Sequence, residues 1–222
     1  LIRSAVGIDV GLESFATLSD GVKIANPRFL RSMERLLKRC HRDVSRKRKG
    51  SANRRKAVLR LQRAYLRVTN LRHNFTHQSS RRIVNQYQLI AVEALRICGM
   101  VRNRFGKSIL DAAWREFLWQ IEYKAEHAGI CFAAVDPRAT SQECSGCGQR
   151  VEKELWVRVH RCSHCGLVLD RDENAARNVL LRALVPTCDV SAPAAGRAVS
   201  KACGAAMAPR GSRKSEIVAT QS

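Results

Sequence analysis

Acidic side chains are scarce in this chain. Forty lysines and arginines stand against nineteen aspartates and glutamates, a net charge of +21 at pH 7. The deficit is local. From Arg28 to Arg82 nineteen basic residues meet only Glu34 and Asp43, so that stretch alone carries +17. An idle solvated face mixes both signs, and this one does not. Long apolar runs are also missing. No run is long enough to cross a bilayer, and no secretory signal is readable. No segment joins a large apolar face to a basic one with exposed aromatics, which argues against a membrane surface as partner. Five of the nine cysteines (Cys40, Cys98, Cys131, Cys188 and Cys203) follow no pairing pattern, so the expected setting is reducing and cytoplasmic. A polyanion is the partner class that remains, because every phosphate neutralised releases counterions.

The other four cysteines are regular. Cys144-Ser-Gly-Cys147-Gly148 and Cys162-Ser-His-Cys165-Gly166 are two knuckles separated by fourteen residues. A two-residue gap lets both sulfurs of a knuckle face one metal, and four thiolates suit one tetrahedral structural zinc ion. The glycine after each second cysteine takes the tight turn at little steric cost. His164 lies inside the second knuckle and reads as a surface ring.

The basic segment has a helical form. Phe29, Met33, Leu36 or Leu37, Cys40 and Val44 recur at three- and four-residue steps, as do Ala57, Leu61, Ala64, Val68, Leu71 and Phe75. Lys47 to Asn53 breaks the pattern, so two helices are expected to fold back as a hairpin. Arg54, Arg60, Arg63 and Arg67 fall off the stripe and become the candidate nucleic-acid contacts. Ala5 to Gly11, Phe15 to Ser19, Val22 to Ala25, Leu89 to Glu93 and Ile130 to Val135 read as strands, the second and third joined at Asp20-Gly21. Ala112 to Ala128 reads as a helix, and a shorter one is expected around Ala175 to Ala183. The class is α/β.

Apolar strands that end on acids need a reason, because a buried carboxylate is costly unless it is paired or holds a metal. Asp9 and Glu93 occupy equivalent strand ends, and Asp172 begins a helix just after the knuckles. Three such groups brought together would hold two magnesium ions, able to activate water and stabilise the leaving oxygen of a phosphodiester. Taken singly, each acid has a plainer use: Asp170 or Asp172 as a helix cap, Glu93 as an arginine partner, Asp9 as a turn residue.

The order Gly7-Ile-Asp9-Val-Gly11, a basic helical hairpin, Val92-Glu93-Ala-Leu95, two Cys-x-x-Cys knuckles and Asp170-Arg-Asp172-x-Asn174-Ala-Ala resembles the TnpB or OrfB proteins of bacterial insertion sequences, relatives of type V CRISPR effectors. Asp111-Ala-Ala-Trp114, Glu122-Tyr-Lys-Ala125 and Asp136-Pro-x-x-Thr140-Ser-Gln142 add to the likeness, which runs from about Ala5 to Leu184. The resemblance implies a RuvC-like, RNase H-type fold with an inserted basic helical hairpin and an inserted zinc ribbon. It implies Asp9, Glu93 and Asp172 as catalytic acids, zinc on Cys144, Cys147, Cys162 and Cys165, DNA and a guide RNA as partners, and a bacterial, nucleoid-associated location. The expected division is 1–27, 88–139 and 170–185 for the RuvC-like segments, 28–87 for the hairpin, 140–169 for the ribbon and 186–222 for a disordered tail. The chain begins at Leu1, directly before the first expected strand, so the N-terminal half that such proteins use to grip the guide is expected to be missing. Two other classes fit the same residues: a conventional strand-joining transposase and a non-catalytic zinc-ribbon binder.

Overall fold

The computed structural model describes residues 2–154 and 156–185. The expected tail lies outside them. A five-stranded sheet runs in the order β3-β2-β1-β4-β5, built from β1 (Ala5–Val10), β2 (Ser14–Leu18), β3 (Lys23–Ala25), β4 (Leu89–Glu93) and β5 (Cys131–Val135). The first three strands meander antiparallel, while β4 and β5 run parallel to β1. Gly21, at φ 87°, closes the turn before β3 as Asp20-Gly21 predicts.

Strand alternation decides what each face buries. Val6 and Ile8 of β1, with Ile90 and Val92 of β4, point into the larger core. There they meet Ile83 and Val84 of α2 (Ala52–Gln86) and Phe117 and Ile121 of α5 (Trp114–Ala128). Phe15 is fully buried between Phe75 and Phe117, its ring edge-on to both at 4.8 and 4.7 Å. The intervening residues face the other way. Leu89 and Ala91 pack against Val179 of α6 (Arg171–Leu184). Gly7 lies under the same helix, where an added Cβ would stand 2.0 Å from the Ala176 carbonyl. Helices therefore cover both faces.

The basic hairpin forms from α1 (Phe29–Ser45) and α2. The seam selects Leu37, which is buried with Ala64 and Val68, and leaves Leu36 exposed. Ser51 caps α2 by accepting from the Arg54 amide. The start of α1 has no local cap. Asp111, eighty-one residues on, accepts from the Leu30 amide and pairs with Arg72 at 2.7 Å, tying both hairpin helices to the body.

One expectation needs correction. The helix expected over 112–128 is interrupted: α4 (Gly106–Ala112) ends, Ala113 takes a left-handed φ of 56°, and α5 starts at Trp114. Periodicity cannot register such a break, because the apolar spacing continues across it. The sequence pattern also missed α3 (Ile97–Met100) and the two short strands β6 (Val159–Arg161) and β7 (Val168–Asp170), which pair with each other in the four-cysteine segment.

Candidate active site

Asp9 and Glu93 reach the same place by simple register. Ile8 pairs with Val92 across the parallel ladder, so the next residues on each strand are Asp9 and Glu93. Alternation turns both to the α6 face. Asp172 arrives from the other direction, in the first turn of α6. Gly7 is what lets α6 lie this close, since a Cβ there would stand 2.0 Å from the Ala176 carbonyl, whereas a Cβ at Gly11 would be at ordinary contact distance, 3.9 Å, from Asp172 Oδ2. The first glycine of the Gly-x-Asp-x-Gly motif thus serves the approach of the helix that carries the third acid.

The electrostatics follow from this crowding. Burial is the main reason that the Asp9 carboxyl lies well above its ordinary range, with Glu93 and then Asp172 adding repulsion and Arg171 partly offsetting it. The Asp9 carboxyl makes no hydrogen bond or ion pair among the described residues. Burial also raises Glu93, against the hydrogen bond that Thr140 Oγ1 donates to Glu93 Oε1 at 2.6 Å. Asp172 is better supplied: Arg171 Nη2 stands 3.1 Å from its Oδ1 and Arg158 Nη1 3.9 Å from its Oδ2. Arg158 also pairs with Glu13 at 3.0 Å. Asp170 has a different task, capping α6 through hydrogen bonds from the Asp172 and Glu173 amides and pairing with Lys23 at 2.8 Å. Partly desolvated carboxylates that repel one another, one of them unpartnered, match the donors a hard divalent cation takes.

The cysteine expectation meets a compact geometry. The sulfurs of Cys144, Cys147, Cys162 and Cys165 all lie within 4.8 Å of one another, with Cys144 to Cys165 and Cys147 to Cys162 each at 3.6 Å. Tetrahedral zinc at ~2.3 Å from sulfur separates its ligands by about 3.8 Å. Backbone amides of Cys165 and His164 draw the Cys162 thiol down to about 6. The Gln149 amide favours the Cys147 thiolate, but burial and the other sulfurs together push that thiol up to about 12. Four sulfurs this close cannot all ionise without a cation between them, and one Zn2+ resolves the conflict. His164, inside the second knuckle, is exposed.

Four residues that join the two centres carried no sequence signal for that role. Asn174 accepts from the Ser145 amide at 2.9 Å and donates to the Glu143 carbonyl at 2.7 Å. Asn178 donates to the carbonyls of Thr140 and Glu143, each at 2.8 Å. Thr140 in turn holds Glu93. Arg158 comes from the four-cysteine segment itself. Asn174 stands in a motif legible as a motif, but the partners of the two asparagines are 29 to 38 residues away.

The four arginines picked out as candidate nucleic-acid contacts all lie on α2. Arg60, Arg63 and Arg67 are exposed, and Arg54 is partly covered in the first turn. None of the four is in an ion pair among the described residues.

Comparison with known proteins places this arrangement. The profile of a family described as a probable transposase, OrfB_IS605, matches residues 2–104. A second profile, the TNB domain of Cas12f1-like proteins, matches residues 114–179. The chain belongs to the TnpB/OrfB family. Among TnpB/OrfB relatives, a Streptomyces pristinaespiralis protein provisionally named an RNA-guided DNA endonuclease is 40% identical over 210 residues, covering 93% of this chain and 48% of that protein. InsQ of Escherichia coli K12, provisionally named in the same way, is 32% identical over 194 residues, 80% of this chain and 48% of its own length. The chain spans about half the length of these relatives. Its backbone follows the cryo-EM structure of a Cas12f1–sgRNA–target DNA complex with a TM-score of 0.56 at 20% identity, over 82% of this chain and 50% of that one. That likeness establishes the fold the TnpB/OrfB chain shares with Cas12f1. No helix among the described residues is long and apolar enough to cross a membrane.

Proposed function

We propose that this chain carries the nuclease part of a TnpB-type, RNA-guided, magnesium-dependent DNA endonuclease, with the sheet and α6 forming a RuvC-like centre and 140–169 a zinc ribbon. The observation that carries the reading is the convergence of Asp9, Glu93 and Asp172 at one end of two parallel strands, with Asp9 raised by burial and by both other acids. The names of the relatives support the same activity, as does the +17 hairpin joined to the body through Arg72 and Asp111. In this reading 28–87 is the inserted basic hairpin, and 1–27, 88–139 and 170–185 are the RuvC-like segments.

Two magnesium ions held by the three carboxylates would supply an activated water and a stabilised leaving oxygen for phosphodiester hydrolysis. The chain's own part is placement. Thr140 fixes one Glu93 oxygen through its hydroxyl and leaves the other free. Asp9 presents an unpartnered carboxylate. Asp172 would be the third carboxylate on the cations, with Arg171 and Arg158 beside it as fixed positive charge. The arginines of α2 hold the polynucleotide through its backbone, without base contacts, so sequence choice falls to the guide.

The test has two readouts on the purified chain: binding of Mn2+, followed by its paramagnetic effect on water relaxation, and metal-dependent cutting of single-stranded DNA. Asp9→Ala, Glu93→Ala and Asp172→Ala should each remove both, each costing about as much as all three, because residues that act as a unit are not additive. A joined rather than cut product would favour the strand-joining transposase. Retained metal binding and cutting in all three variants would place the chemistry elsewhere.

A further inference from the structure

The faces of α2 and α5 that turn away from the sheet line an open groove of about 670 Å3. It lies across the sheet from α6 and the acid cluster. Arg81, Arg82 and Asn85 border it from α2, Tyr123 and Lys124 from α5. Lys124 is only 3% exposed. Its ammonium donates to the His77 carbonyl at 2.9 Å and to Ser80 Oγ at 2.7 Å, and no carboxylate pairs with it among the described residues. Arg81, another cation, is close enough to disfavour its charge further. A buried cation without a counter-charge is costly. The groove therefore lacks one thing that a ligand could bring, an anion.

A second observation concerns shape. Trp119, Tyr123 and His127 follow one another at four-residue steps on α5 and form a row. The Trp119 and Tyr123 rings lie 4.8 Å apart, and Tyr123 and His127 6.1 Å. The helix does not need them for its core, which uses Phe117, Ile121 and Ala125. Trp119 is 59% exposed. An uncovered tryptophan in tilted contact, at 50°, with a tyrosine that lines a cationic groove is a surface that unpaired bases recognise: phosphate on the cations, base faces on the rings. A duplex hides those faces.

We propose that the α2–α5 groove binds a single-stranded polynucleotide, its phosphates held by Arg81, Arg82 and Lys124 and its unpaired bases stacked on Trp119 and Tyr123. The site is separate from the hairpin arginines and from the acid cluster, and it stands whether or not the chain cuts DNA.

The experiment is fluorescence anisotropy of the whole chain against a labelled strand of about ten nucleotides, as ribose and as deoxyribose, and against the same strand in a duplex. It is done in the R60Q/R63Q/R67Q background, so that the hairpin face does not mask the groove. W119A/Y123A should weaken single-strand binding roughly 10- to 100-fold and leave duplex binding unchanged. W119F should restore most of the loss. R81Q/R82Q should lower the slope of log K against log salt by about 1–2. The ratio of ribose to deoxyribose affinity identifies the sugar that the groove takes. Unchanged single-strand affinity in W119A/Y123A, or equal losses for single strand and duplex in variants with unchanged melting temperature, would overturn the proposal.

Discussion

Asp9 stands where a carboxylate is least stable and most useful. Alternation along β1 turns it toward α6, packing strips much of its water, and two further acids face it. Its folded-state pKa is raised, so in the metal-free chain the native state binds the proton more tightly than the unfolded state does. Stability should therefore fall as pH rises from the ordinary carboxylate value of ~4 through the raised one, and the full penalty should apply above it. Asp9→Asn should remove that term. Without metal, the melting temperature of this variant at pH 8 should exceed that of the wild type by about 2–4 °C, the equivalent of ~1 kcal/mol. Added Mn2+ should raise the melting temperature of the wild type and leave that of D9N where it was. Calorimetry across pH, with and without the ion, checks both. The neighbouring acids separate in the same way. Asp170 is the cap of α6, so Asp170→Ala should cost about 1 kcal/mol of stability and leave Mn2+ binding nearly intact, whereas Asp172→Ala should abolish the binding.

At the scale of elements, α6 and β1 form the joint on which the site depends. Gly7 faces backbone there, not a side-chain tip that could swing away: an added Cβ would stand 2.0 Å from the Ala176 carbonyl and 2.7 Å from the Leu180 amide nitrogen. Gly7→Ala must push the helix off the strand. A loss of about 3 kcal/mol is expected, together with weaker Mn2+ binding as Asp172 moves away. Gly11→Ala, whose one tight contact is the Ser14 carbonyl at 3.0 Å, should cost much less. Denaturant melts of the two variants give the comparison. The hairpin makes the opposite case, a surface that tolerates change. Arg60, Arg63 and Arg67 are exposed, so Arg→Gln at all three should leave the melt alone and lower the salt slope of nucleic-acid binding by roughly 2–3. An unchanged slope would mean that the face is only solvated.

Across the whole molecule, the two candidate metal centres are mechanically one. Asn174 and Asn178 tie α6 to residues 140–145, Thr140 ties the same segment to Glu93, and Arg158 reaches from the four-cysteine segment to Asp172. Removing zinc should therefore be felt at the acids. A chelator, or Cys147→Ser, should release about one equivalent of zinc and expose 140–169 to protease, since metal binding in so small a unit is folding free energy. Mn2+ affinity at the acid cluster should drop about tenfold, the lower end expected for lost supporting contacts around a metal. Metal analysis and limited proteolysis follow the first effect, water relaxation the second.

Much of this was present in the order of residues alone. The strands are period-2 apolar runs, the knuckles a fixed spacing, the hairpin a 3.6-residue stripe among arginines, and each of these signals is local: the residues that cause the structure are the ones next to it. Asp9, Glu93 and Asp172 could be picked out because an acid at the end of an apolar strand, or opening a helix after two knuckles, is anomalous where it stands. Only the tertiary structure decided the rest. Whether Leu36 or Leu37 enters the seam depends on the partner helix, and the break at Ala113 on how α4 and α5 pack. Gly7 matters because a helix that begins at Arg171 lies on it. Thr140 and the two asparagines act through partners between 29 and 47 residues away. Hydrogen bonds and close contacts depend on distance in space, and a linear pattern carries only distance along the chain.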